Sequence, residues 1–160
     1  MAEPVRKTKM SSYEQDFAAW ADDQGRILRD RSVERLDWDN LAEEIESLSR
    51  RDKSEIRSRL IVLLMHLLKW EFQPDKRDHG WQTTIGEQRI HIEGILEYSP
   101  SLKHFPSEIF ARCYQRARRE ASKETKLLLR TFPEDSPYLL EQVLDYGFMP
   151  GRPWSPEDLS

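Results

Sequence analysis

A single cysteine, Cys113, in 160 residues excludes an internal disulfide framework and any cysteine-rich zinc site. It reads as a small buried hydrophobe, with a reactive thiol as the alternative. Glycines are few, only six, and alternating runs of β-branched residues are scarce, which argues against an all-β design. Long apolar runs are missing too. The longest, Leu60 to Trp70, is interrupted by His66 and Lys69, whereas a membrane helix needs roughly 20 predominantly apolar residues. Arg6, Lys7 and Lys9 near the start are followed by no apolar segment, so no export signal is expected and the default compartment is the cytoplasm. The sequence also lacks a glycine-rich phosphate loop, a G-x-S-x-G elbow, an H-E-x-x-H pair and the paired Glu-x-x-His of di-iron bundles. Catalysis is left without a motif to argue from, though it is not thereby excluded.

What is present is helical patterning. Hydrophobic residues make up 38% and charged residues 34%, a balance too apolar for a disordered chain and rich enough in charge for the wet faces of amphipathic helices. Ser11, with Glu14 three residues on, predicts a capped first helix carrying Tyr13, Phe17, Trp20, Ala21, Ile27 and Leu28 on one stripe. Asp37 or Asp39 caps a second, whose inward face is predicted as Trp38, Leu41, Ile45 and Leu48. The stretch SEIRSRLIVLLMHLLKWEF is apolar nearly all round between Leu60 and Leu68 and predicts a central helix ending before Pro74. Asp52 falls on the projected apolar stripe and favours a break near Ser49 to Asp52, a single long helix being the alternative. A fourth helix runs from near Trp81 through Ile85, Ile92, Ile95 and Leu96 to Tyr98, because Ser99 precedes a proline. A fifth, from Pro106, shows Ile109, Phe110, Cys113, Tyr114, Ala117 and Ala121. A sixth is predicted over Pro137 to Leu144, with Ser136 as its cap. The fold class is therefore all-α: a single-domain bundle of five to six helices over residues 12–146, flanked by a disordered basic tail (1–11) and an irregular proline-rich tail (147–160). Trp20, Trp38, Trp70 and Trp81 read as core. Trp154 either folds back onto the bundle or faces a partner, folding back being preferred.

Polar groups that flank the core are the candidate site. Glu44 lies one turn from Leu41 and Leu48, His66 sits within LIVLLMHLLK, and Arg89 is one turn from Ile85. Buried charge is costly unless paired, and an arginine fork suits a carboxylate, so Arg89 with Glu44 is the preferred pair. The trio is either a satisfied polar network or a site for a divalent metal or small polar ligand. In the latter, Glu44 and His66 are the ligands and Glu124 a third, with Glu43 and Lys69 nearby. No cofactor is expected. The net charge of −4 hides an acid-rich stretch, Tyr13 to Leu48, and a basic one, Ala111 to Lys126. Within the latter, Arg112, Arg116, Arg119 and Lys123 share one helical face, the spacing of a nucleic-acid patch, although Glu108, Glu120 and Glu124 interrupt it.

The strings YEQDFAAWADDQGRILR, LDWDNLAEEIESL and LLMHLLKW followed by Pro74 resemble the bacterial domain of unknown function 29 family. WQTTIGEQR, SPSL and YLLEQVLD with Pro150 beyond it extend the likeness from Tyr13 to Pro150. The resemblance implies a small cytoplasmic α-helical bacterial protein and brings no established activity. It also places Glu43, Glu44, His66, Lys69, Trp70, Trp81 and Arg89 within the family's strings. Three functional readings follow: protein association, as a homo-oligomer or with a partner; metal or small-ligand binding through Glu44, His66 and Arg89; and nucleic-acid binding through the basic helix.

Overall fold

The computed structural model describes residues 12–160, and every regular element among them is helical. Five α-helices follow in order: α1 (Phe17–Arg29), α2 (Trp38–Phe72), α3 (His79–Tyr98), α4 (Phe105–Thr125) and the short α5 (Leu140–Leu144), linked by single 3-10 turns. The fold class is all-α, with no strand among the described residues. Two compact units divide the chain, and the boundary falls after Arg50, inside α2.

In the first unit the predicted cap at Ser11 lies outside the described residues. Within them, Asp16 caps α1, its carboxylate accepting from the Ala19 N–H at 3.0 Å. Helix α1 lies on a polar flank of α2. Trp20 Nε1 donates to the Asp37 carboxylate at 3.0 Å and Asn40 Nδ2 donates to it at 2.8 Å. The Gln24 side-chain oxygen accepts from the Asp37 N–H at 2.8 Å, and the Tyr13 hydroxyl donates to Glu44 at 2.5 Å. The Asn40 and Trp20 donors hold the Asp37 carboxyl below the usual carboxylate range, against the opposing effect of burial. Trp20, Ile27 and Leu36 are buried. The inward face predicted for this part of α2 is corrected: Trp38 is 62% exposed, Ile45 67% and Leu48 57%. Trp20 and Gln24 of α1, with Tyr13 just before it, bond to Asp37 and Glu44, while Trp38, Ile45 and Leu48 stay exposed.

The two helices expected on either side of Ser49 to Asp52 are one helix of 35 residues. Nothing between residues 38 and 72 is proline or glycine, so no residue there forces a break. Asp52, the reason for expecting one, accepts from the Ser99 hydroxyl at 3.4 Å.

The second unit is built around residues 56–70 of α2. Ile56, Leu60, Leu63, Leu64, Leu67, Leu68 and Trp70 are fully enclosed, with Ile85 and Ile92 of α3 and Ile109, Cys113 and Tyr114 of α4 against them. The α4 stripe lies where its spacing placed it. Ala117 and Ala121 are fully buried, and their small side chains permit close approach of the neighbouring elements. The sixth predicted helix is shorter than its sequence signal. Ser136 Oγ accepts from the Tyr138 N–H two residues on and so closes a local turn, and α5 begins at Leu140 after the Gln142 side chain caps Leu139 N–H at 2.9 Å.

After α5 the chain is irregular apart from one 3-10 turn at Pro156–Asp158, yet Phe148, Met149, Trp154 and Leu159 pack onto the core. Trp154 folds back, meeting the Trp70 ring edge to face at 5.1 Å. Two buried arginines hold this segment. Arg89, expected to pair with Glu44, instead donates to the carbonyls of Val143 (2.8 Å), Tyr146 (3.4 Å) and Phe148 (2.8 Å). Arg77 donates to Trp70 (2.8 Å), Arg152 (2.6 Å) and Pro150 (3.4 Å) carbonyls, and its guanidinium stacks 4.9 Å from the Trp70 ring centroid. Gly151, at φ +80°, is required between them: a Cβ there would lie 3.0 Å from Glu71 Cγ and 3.3 Å from Arg77 Nη2. Replacing Arg89 by Leu orphans three carbonyls at once. The expected loss is about 3 kcal/mol or more of unfolding free energy, read as a lowered urea midpoint, and Arg89→Lys recovers only part of it.

Candidate functional site

The polar residues predicted from sequence gather in part. On α2, His66 and Lys69 lie one turn apart. Lys69 is only 8% exposed, and its Nζ meets the Glu124 carboxylate of α4 at 2.6 Å while standing 4.6 Å from the Trp81 ring centroid on α3. A buried ammonium is tolerable there because a carboxylate and an aromatic face both stabilise it. Asp78 fixes the start of α3 beside this group, accepting from the Trp81 N–H at 2.7 Å. Gln73 Nε2 reaches the Thr125 carbonyl at 3.4 Å and ties the end of α2 to the end of α4.

His66 is half-buried, and its Nδ1 lies 2.9 Å from the Val62 carbonyl one turn back. A carbonyl only accepts, so the neutral ring carries its proton on Nδ1 and keeps Nε2 as an acceptor. Burial pushes the imidazole pKa below its ordinary value, with Lys69 adding to that, while the Val62 carbonyl, Glu124 and Asp78 act in the opposite direction. Lys69, Glu124, His66 and Trp81 thus form one cluster in the second unit, built as a neutralised ion pair beside an uncharged imidazole.

The other predicted members are placed elsewhere. Glu44 belongs to the first unit, held by Tyr13 and bonded to Ser47 Oγ at 3.4 Å; Glu43 is exposed and pairs with Arg50 at 2.5 Å. The Arg89 donors are occupied by main-chain carbonyls. Among the described residues no group of three or more His, Cys, Asp or Glu is placed to hold a metal ion. On α4, Arg112, Arg116, Arg119 and Lys123 are all exposed, as their spacing required. Glu120 sits among them and binds Arg116 at 3.1 Å and Lys123 at 3.6 Å, while Arg118 turns inward to the Phe132 carbonyl at 3.0 Å.

Sequence reasoning missed Arg77 and the Glu71–Tyr138 pair. Tyr138 donates to Glu71 at 2.5 Å, and burial together with that carboxylate drives its phenol pKa far upward. Arg77 lies in the polar turn PDKRDHG, where hydropathy marks surface, and no residue pattern around it signals burial.

An all-α protein with a strapped C-terminal segment is thus the class of molecule the structure defines. The chain belongs to the family described as Domain of unknown function DUF29, which matches residues 12–149. No curated protein and no solved structure matches it. Among the described residues no helix is long and apolar enough to cross a membrane.

The lowered His66 pKa has a consequence for stability. The unfolded imidazole binds a proton near pH 6.5, whereas the folded ring resists it, so His66 favours unfolding as pH falls through that value toward the folded pKa. Chemical denaturation between about pH 5 and 7 is expected to show stability rising with pH, and His66→Leu is expected to flatten that slope.

Proposed function

We propose that this protein works by association, and that its first partner is a second copy of the same chain seated on the apolar stripe of α2. The observation that carries this reading is the uncovered face of Trp38, Ile45 and Leu48, all more than half exposed, with Leu41 partly exposed between them. Their spacing of three, four and three residues is that of a two-heptad coiled-coil seam. A contiguous apolar strip with an aromatic anchor is the usual make-up of a protein contact, since isolated surface hydrophobes carry no such pattern.

Charge along the same stretch favours a second copy, and favours it antiparallel. Asp39, Glu43, Glu44 and Glu46 flank the early part of the stripe, and Arg50 and Arg51 follow its end. An antiparallel pairing sets the acidic part of one stripe against the arginines of the other, whereas a parallel one sets acid against acid. In the single chain Arg50 bridges Glu43 at 2.5 Å and Glu46 at 3.8 Å, with every partner more than half exposed. Such surface pairs are weak and exchange readily for intermolecular ones.

Sedimentation equilibrium distinguishes the outcomes. The wild type is expected at twice the 19.1 kDa chain mass, and Ile45→Glu with Leu48→Glu at the monomer mass with unchanged helical circular dichroism. Arg50→Glu should weaken the dimer, and Glu43→Arg with Glu46→Arg in the same chain should restore it. A wild type that stays monomeric at the highest concentration reached, or a dimer indifferent to the stripe substitutions, overturns the reading.

A further inference from the structure

A cleft of about 420 Å³ opens between α2 and α4 in the second unit, lined by Arg57 and Ile61 from α2 and by Ile109, Arg112, Cys113 and Arg116 from α4. We infer that this cleft binds a small phosphate monoester, its phosphoryl group held by the three arginines and its apolar body resting on the isoleucine floor.

The charge balance of the lining points to an anion. Three guanidinium groups border the cleft, and no carboxylate does. Among the described residues Arg57 and Arg112 make no ion pair, and Arg116 engages Glu120 through Nε at 3.1 Å. Arg59, also on α2, is by contrast neutralised by Glu55 at 2.8 Å. Arg57 and Arg112, unneutralised on either side of a concavity, repel one another and raise a positive potential there, which a dianion relieves. Guanidinium forks match phosphate oxygens in geometry as well as charge.

The floor narrows the choice further. Ile109 and Cys113 are each only 2% exposed, and the Cys113 thiol donates weakly to the Arg57 carbonyl at 3.9 Å. Burial pushes the thiol pKa up despite Arg57 and Arg112, so the base of the cleft is uncharged and offers no internal counter-ion. A bare oxyanion would leave that apolar floor wet, whereas an ester with an aromatic or aliphatic group covers it. A nucleic-acid strand fits less well. Arg119 and Lys123, which a tracking backbone would need, lie outside the lining, and no aromatic side chain lines the cleft for base stacking.

The test uses the full chain, with phenyl phosphate as the probe and inorganic phosphate, phenol and a 5′-hydroxyl oligonucleotide as comparisons, all at matched ionic strength. Isothermal titration is expected to show phenyl phosphate binding more tightly than inorganic phosphate, with phenol silent. Arg57→Gln and Arg112→Gln are each expected to weaken it about tenfold, and Arg119→Gln to leave it unchanged. The arginines are exposed, so these variants should keep the wild-type melting temperature and oligomeric state, which separates this result from the fate of the association reading. No preference for phenyl phosphate over inorganic phosphate or phenol, indifference to Arg57→Gln and Arg112→Gln, or displacement of phenyl phosphate by the oligonucleotide overturns the inference.

Discussion

Two desolvated guanidinium groups organise the second unit, and neither is paired with a carboxylate through a hydrogen bond. Arg77 and Arg89 are 3% and 2% exposed, and burial pulls the pKa of each below the usual arginine value. An arginine cannot escape by losing its proton at any ordinary pH, so it must be supplied with acceptors. The supply comes from the main chain between Val143 and Arg152, together with Trp70. The arrangement is reciprocal. An irregular segment has carbonyls that no ladder or helix satisfies, and the buried arginines have donors that no side chain satisfies. Each solves the other's difficulty, and the C-terminal segment packs onto the core with only one 3-10 turn of its own.

That constraint reaches beyond the two side chains. Holding the Pro150 and Arg152 carbonyls against Arg77 brings Gly151 within contact of Glu71, which demands the left-handed backbone only glycine adopts at little cost. It also lays Trp154 against Trp70, closing the end of α2 under aromatic cover. With α2 fixed there, Lys69 meets Glu124 and Trp81, and α2, α3 and α4 converge on one neutral cluster. The opposite treatment is given to Arg57 and Arg112, which are exposed beside the cleft and make no ion pair among the described residues. The buried guanidiniums each meet three main-chain carbonyls, whereas those at the cleft face solvent.

The legible and illegible parts divide along a physical line. Helical periodicity located the α4 stripe, because Ile109, Cys113, Tyr114, Ala117 and Ala121 are buried and belong to the apolar core. The same periodicity misjudged Trp38, Ile45 and Leu48, because a stripe records which face is apolar and not whether anything covers it. Asp52 misled in a similar way: it is only half-buried, and it accepts from Ser99, a partner 47 residues away. Arg89 was recognised as buried, but the preference for a carboxylate ignored main-chain carbonyls, which no residue type announces.

Sequence alone determined the all-α class, the absence of any glycine or proline to interrupt α2, the faces on which apolar and charged residues lie, and the family. All of these rest on local spacing and on chemistry carried by each residue. Tertiary structure decided which faces are covered, which charges are paired, and which carbonyls receive the buried arginines. Those outcomes depend on contacts between residues far apart in the chain, and hydrogen bonding to the backbone leaves no mark in the amino-acid order.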